Sequence, residues 1–184
     1  VHTENSFDAY TFGTIATPAD AYKYAQGQSI LHPTGYQIQL RGPLDFYSVT
    51  DHGVFLGLLS EAADTNSEFS KYKISEPLHN LNDSVSNSFF SIVKRNGLSR
   101  DFAEKVKKGL DDGIINESLV AEVGKTVWHE NLKAADDAYK PGIFNTLAGY
   151  EYTSSEAIYQ NSLHRNVLFR EPKNLPQTLF TTAD

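Results

Sequence analysis

Helical periodicity between about Val54 and Lys140, with short β-prone runs on both sides, is the feature that most constrains the fold of this chain. Apolar side chains that repeat at the helical period form one face of a helix, so this block favours helices. The flanking runs are short and rich in β-branched and aromatic residues, which favours strands. We therefore predict an α/β core from residues 1–60 and 141–184, interrupted by a helical insertion over residues 61–140.

Capping residues predict where the helices begin and end. Thr17 stands before Pro-Ala-Asp and predicts the start of a short helix over about residues 18 to 26. Within the central block, Gly97 and Ser99 predict a break between two helices, because glycine ends helices and serine caps their starts. Asn116 predicts the start of a longer helix in the same way.

Three runs predict strands, and one of them ends in two polar residues. The run PLDFYSVTDH follows a Gly-Pro pair and resembles a buried strand that ends in Asp51 and His52. The runs GIFNTLAGYEYTSS and LHRNVLF predict further strands near the end of the sequence. The carboxyl ends of strands in α/β folds face the ligand crevice, so Asp51 and His52 are candidates for chemistry. The alternative is a hydrogen-bonded pair that caps the next helix.

Composition limits the kinds of partner and site. The net charge is -7, from 23 acidic against 16 basic residues, and no Lys or Arg stripe is present, so we expect no nucleic acid partner. No apolar run approaches the roughly 20 residues that span a bilayer. The sequence has 0 cysteines, so a metal ion has to be held by His, Asp, Glu or water.

Several catalytic signatures are missing, and a set of metal-ligand types remains. The sequence has no Gly-Lys-Ser/Thr phosphate loop, no Gly-x-Gly-x-x-Gly and no Gly-x-Ser-x-Gly. His129-Glu130 starts like a zinc protease motif, but Lys133 stands where the second histidine belongs. The remaining candidates at predicted strand ends and at the start of the chain are His2, Asp51, His52, Glu151 and His164. Imidazoles and carboxylates of this kind suit zinc, manganese or iron.

Five motifs in order carry a family resemblance: VHTENSFDAYTFG, TPADAYKYAQG, PLDFYSVTDH, GYEYTSS and LHRNVLF. With them the chain resembles an uncharacterised bacterial family within the PHP (polymerase and histidinol phosphatase) superfamily of metal-dependent phosphoesterases. The resemblance covers most of the chain apart from the helical insertion. It implies part of a distorted (β/α)7 barrel, a small phosphoester substrate, and two or more divalent ions in the full-length protein.

The resemblance also implies roles for individual residues. His2 matches the second histidine of the family's opening His-x-His motif, and His52 and His164 match later ligands. Glu151 matches the carboxylate that bridges the metals. Asp8 is either a further ligand or a loop cap. Asp51 is expected to orient its neighbour His52, and Arg165 or Arg170 to bind phosphate or else to form surface salt bridges.

Some parts of the family pattern lie outside this sequence. The first histidine of the opening motif and a later Asp-x-His are both missing, so we expect a fragment with an incomplete site that is inactive by itself. Two alternatives stay open: the same metal site hydrolyses an amide, lactone or sulfate ester, or the chain is a non-catalytic binding domain with a degenerate site. We expect a periplasmic or secreted protein, with the cytoplasm as the alternative, and the sequence predicts no oligomeric state.

Overall fold

A computed structural model describes residues 1–83, 89–154, 163–171 and 173–181. The α-helices are α1 (Phe7–Thr11), α2 (Pro18–Ala25), α3 (Leu58–Ala63), α4 (Phe89–Asp111) and α5 (Glu117–Ala138), with short 3-10 helices at Phe69–Lys71 and Lys73–Leu78. The strands are β1 (Ile30–Leu31), β2 (Gln37–Ile38), β3 (Phe46–Tyr47), β4 (Asn145–Thr146), β5 (Gly149–Thr153) and β6 (His164–Leu168). No helix in these ranges is long and apolar enough to cross a membrane.

The strands do not form a barrel. Over the described residues they make three separate two-stranded sheets: β1 with β2, β3 with β4, and β5 with β6. Only β3 and β4 are parallel, and the other two pairs are antiparallel. A (β/α) barrel needs every strand to pair in parallel with a strand on each side. The predicted part of a distorted (β/α)7 PHP-type barrel is therefore wrong, and the chain is a mixed α/β fold with few short strands.

The strand predicted in PLDFYSVTDH is shorter and more exposed to solvent than expected. Only Phe46–Tyr47 is regular strand, and the Phe46 side chain is 65% exposed. The prediction of a buried strand fails because, among the described residues, β3 pairs with β4 alone and Phe46 stays largely open to solvent. The chain nevertheless stays extended after β3, since the backbone N–H groups of Leu147 and Glu151 donate to the carbonyls of Tyr47 and Asp51.

This extended pairing places four segments side by side. Thr50 donates to the carbonyl of Val1 at 2.8 Å, which brings the start of the chain beside the segment after β3. Gly53 donates to the carbonyl of Glu151 at 2.9 Å, and His52 forms a parallel bridge with Glu151. β6 lies on the other side of β5. The row of segments is the start of the chain, residues 50–53, β5 and β6, and each of them contributes a candidate ligand.

The predicted caps of two helices are confirmed. Thr17 and Asp20 form a capping box at the start of α2, in which each side chain accepts a hydrogen bond from the backbone of the other residue. The Asn116 side chain accepts from the backbone N–H of Ser118 at 3.0 Å and caps α5. These contacts are local in the sequence, which is why the pattern predicts them.

The break predicted at Gly97 and Ser99 is wrong, because α4 runs through both residues. A glycine inside a helix costs only about 1 kcal/mol relative to alanine. Tertiary contacts offset that cost: the buried Arg95 guanidinium donates to the carbonyls of Thr11 at 2.7 Å and Tyr10 at 3.0 Å. These hydrogen bonds connect α4 to α1, and local sequence patterns do not predict them.

The long helix α5 packs against α2 and against β5, the strand that carries Glu151. Ala135 and Ala138 of α5 share a buried cluster with Tyr22 of α2, and Trp128 shares another with Tyr150 of β5. The predicted boundary between core and insertion, at residues 60 and 61, falls inside α3. The division into three regions stays a prediction.

Candidate metal centre

The first segment of the site is the loop before α1, which holds His2. The Ser6 hydroxyl lies 2.7 Å from His2 Nδ1 and donates to Asp8 Oδ1 at 2.9 Å, and it also receives the backbone N–H of His52 at 3.1 Å. A hydroxyl has one hydrogen, which goes to Asp8, so it accepts from both histidines. His2 Nδ1 therefore faces the Ser6 hydroxyl, and its Nε2 faces Glu151.

His52 follows β3 in the extended segment and is buried, with 7% of its surface exposed. Its Nδ1 lies 2.6 Å from the hydroxyl of Thr153, two residues after Glu151 on the same face of β5. Its Nε2 lies 3.4 Å from Asp8 Oδ2. A hydroxyl thus holds one nitrogen of the ring while the other points into the cluster, as in His2.

Glu151 is at the centre of the cluster. Its carboxylate lies 3.2 Å from His2 Nε2 and 3.5 Å from His52 Nδ1, and it contacts Nδ1 of His164. The ring centroids of His2 and His52 are 4.6 Å apart, and those of His52 and His164 are 5.1 Å apart. Only 10% of the Glu151 side chain is exposed, against 44% for His164. Three imidazoles therefore converge on one nearly buried carboxylate.

Asp8, in the first turn of α1, adds a second carboxylate on the open side of the cluster. Its oxygens lie 3.5 Å from His2 Nδ1 and 3.4 Å from His52 Nε2, and 48% of its side chain is exposed. Burial alone raises the pKa of Asp8, but the hydrogen bond with His52 and the charges of His52 and His2 outweigh it and hold that pKa below its usual range. Burial lowers the pKa of His52, but Asp8 and Glu151 outweigh that effect and raise it.

Asp51 is fully buried, and its hydrogen-bond partners are Thr3 and Asn131. It accepts hydrogen bonds from the backbone N–H of Thr3 at 2.5 Å, from the Thr3 hydroxyl at 2.7 Å and from the Asn131 amide at 3.0 Å. Burial raises the pKa of Asp51, while these hydrogen bonds oppose the rise. The structure does not bring this carboxylate into the cluster. Asp51 instead fixes the loop of His2 against the segment of His52.

A family model matches residues 1–183, and its description is "Protein of unknown function (DUF3604)". The chain belongs to DUF3604. No curated protein matches it, and no solved structure matches it. The match does not test the resemblance to the PHP superfamily, which stays a prediction.

The residues of this DUF3604 chain fit a divalent metal ion. His2, His52 and Glu151 each offer a ligand atom, and these atoms lie within 4.8 Å of one another. His2 Nδ1 and His52 Nδ1 are each held by a hydroxyl, an arrangement that orients a histidine toward a metal ion. Nitrogen and carboxylate donors without a thiolate match zinc, manganese or iron.

The structure does not bring the predicted arginines to the cluster. Arg165 pairs with Tyr152 in the β5–β6 register, while His164 pairs with Thr153. Because side chains alternate between the two faces of a ribbon, Arg165 lies on the face opposite Glu151 and His164. Arg170 follows β6 and is exposed. Phosphate binding by either arginine stays a prediction.

Three other histidines and Tyr150 lie outside the cluster. The imidazoles of His32, His79 and His129 bond to Thr34, Ser70 and Lys125, respectively. Tyr150 is buried and stacks with Phe169 in the cluster of Trp128, so it contributes to packing.

Four residues that support the site were not predicted: Thr3, Ser6, Asn131 and Thr153. Thr153 could have been predicted, because it lies two residues after Glu151 in a predicted strand and its side chain therefore lies on the same face. Ser6 and Thr3 lie in a loop whose conformation no local pattern specifies. Asn131 is 80 residues from Asp51 in sequence, and their contact depends on how α5 packs.

Proposed function

We propose that this DUF3604 chain holds divalent metal ions and that the full-length protein serves as a hydrolase, with a phosphoester as the preferred class of substrate. The residues proposed as ligands are His2, Asp8, His52, Glu151 and His164. The observation that carries the proposal is the carboxylate of Glu151, which contacts all three imidazoles. A structural ion pair needs one imidazole, whereas several nitrogen donors around one carboxylate suit cations.

The residues of the chain have distinct roles in this proposal. Glu151 lies between the histidines and would be the central ligand of bound ions, and Asp8 would supply a second carboxylate on the side open to solvent. Ser6 and Thr153 hold the Nδ1 atoms of His2 and His52, which keeps both rings oriented. Divalent ions bound in such a site supply a Lewis acid and lower the pKa of water.

The choice of a phosphoester rests on the resemblance of the five motifs to PHP proteins. The cluster itself is also compatible with hydrolysis of an amide, a lactone or a sulfate ester, since a metal site does not define its substrate. A panel of p-nitrophenyl phosphate, bis(p-nitrophenyl) phosphate, p-nitrophenyl sulfate, a lactone and an anilide separates these classes. We expect the full-length protein to turn over at least one phosphoester with manganese or zinc added.

Metal binding is tested with matched variants. His52→Asn and Glu151→Gln remove ligands, whereas His129→Asn and Glu122→Gln make the same changes on the exposed side of α5. Metal content by mass spectrometry and titration calorimetry with Mn²⁺ or Zn²⁺ should show loss of binding and of turnover in the first pair only. Metal uptake without turnover across the panel would favour a binding domain. Equal metal content in all four variants would contradict the proposed metal site.

A further inference from the structure

The register of the β5–β6 ribbon places one more polar side chain beside Glu151. Glu151 pairs with Asn166, and Thr153 pairs with His164. Glu151, Thr153 and His164 all contact the cluster, so the cluster lies on one face of the ribbon. Residues directly opposite each other in an antiparallel pair point to the same face, so Asn166 lies on the cluster's face.

Hydrogen bonding along the ribbon brings Asn166 close to Glu151. The backbone N–H of Ser154 donates to Leu163, and that of Phe169 donates to Ala148, so these are hydrogen-bonded pairs. Hydrogen-bonded and non-hydrogen-bonded pairs alternate along an antiparallel ribbon, which makes Glu151 and Asn166 a non-hydrogen-bonded pair. In such pairs the Cα atoms are only about 4.5 Å apart, and the side chains are correspondingly near. Asn166 therefore stands next to the carboxylate proposed to bridge the metal ions.

Asn166 has an amide that is available to a ligand. The residue is exposed, and its side chain forms no hydrogen bond with any residue in the described part of the chain. The cluster is also open to solvent, since the side chains of His164 and Asp8 are 44% and 48% exposed. Asparagine is disfavoured inside strands, so its presence in the middle of β6 is not explained by strand formation.

We propose that Asn166 is a substrate-binding residue, whose amide donates a hydrogen bond to a non-bridging oxygen of a phosphoryl group held at the cluster. The inference rests on the proposed function. A neutral amide suits this position, because it donates to a phosphoryl oxygen without competing with the metal ions for Glu151. The sequence suggested Arg165 for the phosphate contact. Arg165 lies on the opposite face of β6, and the proposal gives this contact to Asn166.

The test compares Asn166→Ala and Asn166→Asp with Arg165→Ala, an exposed neighbour on the other face of the same strand. Calorimetry measures Mn²⁺ binding first and then binding of inorganic phosphate to the Mn²⁺-loaded chain. We expect Asn166→Ala to weaken phosphate binding about 10-fold, as for loss of a hydrogen bond to a charged group, with unchanged Mn²⁺ affinity. Asn166→Asp should weaken phosphate binding further, because a carboxylate repels phosphate.

Failure of the role of Asn166 can be told apart from failure of the proposed function. Phosphate binding that is unchanged in Asn166→Ala, or reduced only in Arg165→Ala, overturns the role of Asn166 while metal binding and hydrolysis stand. Absence of Mn²⁺ binding in the wild-type protein overturns both the role of Asn166 and the proposed function. Wild-type protein that binds Mn²⁺ and phosphate through Asn166 but turns over no phosphoester supports the contact and contradicts the hydrolase.

Discussion

Asn131 of helix α5 donates a 3.0 Å hydrogen bond to Oδ2 of Asp51, and both side chains are buried. The same asparagine accepts a hydrogen bond of 3.0 Å from the Asn5 amide. One side chain of the predicted helical insertion therefore joins two segments of the site: the loop that carries His2 and the segment that carries His52.

We expect Asn131→Ala to lower the free energy of unfolding by about 1 to 3 kcal/mol, because it leaves the buried Asp51 carboxylate and the Asn5 amide each short of a partner. Urea denaturation measures the change. Glu122→Ala, on the exposed side of the same helix, is the control and should change stability by no more than about 0.5 kcal/mol. Equal stability of the two variants would show that the hydrogen bonds of Asn131 contribute little.

Thr153→Val removes the hydroxyl that holds His52 Nδ1 and keeps the shape of the side chain. Loss of such a supporting contact typically lowers metal affinity about 10- to 100-fold, and we expect that range for Zn²⁺ or Mn²⁺. The control is Thr34→Val, which removes a similar contact of 2.8 Å to His32 on an exposed turn. Calorimetric titration should show weaker binding in the first variant alone. Unchanged affinity would mean that His52 needs no support from Thr153.

Ser6→Ala removes three contacts at once, to His2, Asp8 and the backbone of His52. We expect the metal affinity to fall at least as far as in Thr153→Val, since both the ring of His2 and the carboxylate of Asp8 lose a partner. Ser60→Ala, in α3, loses a hydroxyl contact to the carbonyl of Gly57 and serves as the control. Affinity equal to that of the control would contradict the role assigned to the Ser6 hydroxyl.

Gly57 lies at the contact between α3 and α5 and has a φ of +71°, and a Cβ atom there would stand 2.5 Å from Cγ2 of Val127. Gly57→Ala should lower the free energy of unfolding by about 2 to 4 kcal/mol, from left-handed backbone strain and overpacking together. Gly113 has a φ of +67° with open space around it, so Gly113→Ala carries the backbone strain alone, about 1 kcal/mol. Urea denaturation that gives the same loss for both would mean that Val127 moves aside freely.

Local contacts explain which parts of the fold could be predicted. The capping box of Thr17 and Asp20 spans three residues, and the Asn116 cap spans two, so both are readable in the sequence. The uninterrupted α4 depends on Arg95, whose partners Tyr10 and Thr11 are 85 and 84 residues away. The predicted barrel failed for the same reason, because strand pairing is decided by distant segments.

The sequence by itself determined the types of ligand available and the caps of α2 and α5, and it singled out His2, His52, Glu151 and His164 as candidate ligands. Only the tertiary structure decided that these residues meet, that Asp51 faces Asn131, and that Asn166 rather than Arg165 shares the face of Glu151. The physical reason is that residue type and local periodicity are properties of neighbouring residues. Convergence at a site depends on backbone pairing and helix packing between distant segments, such as those of His52 and Thr153, which are 101 residues apart.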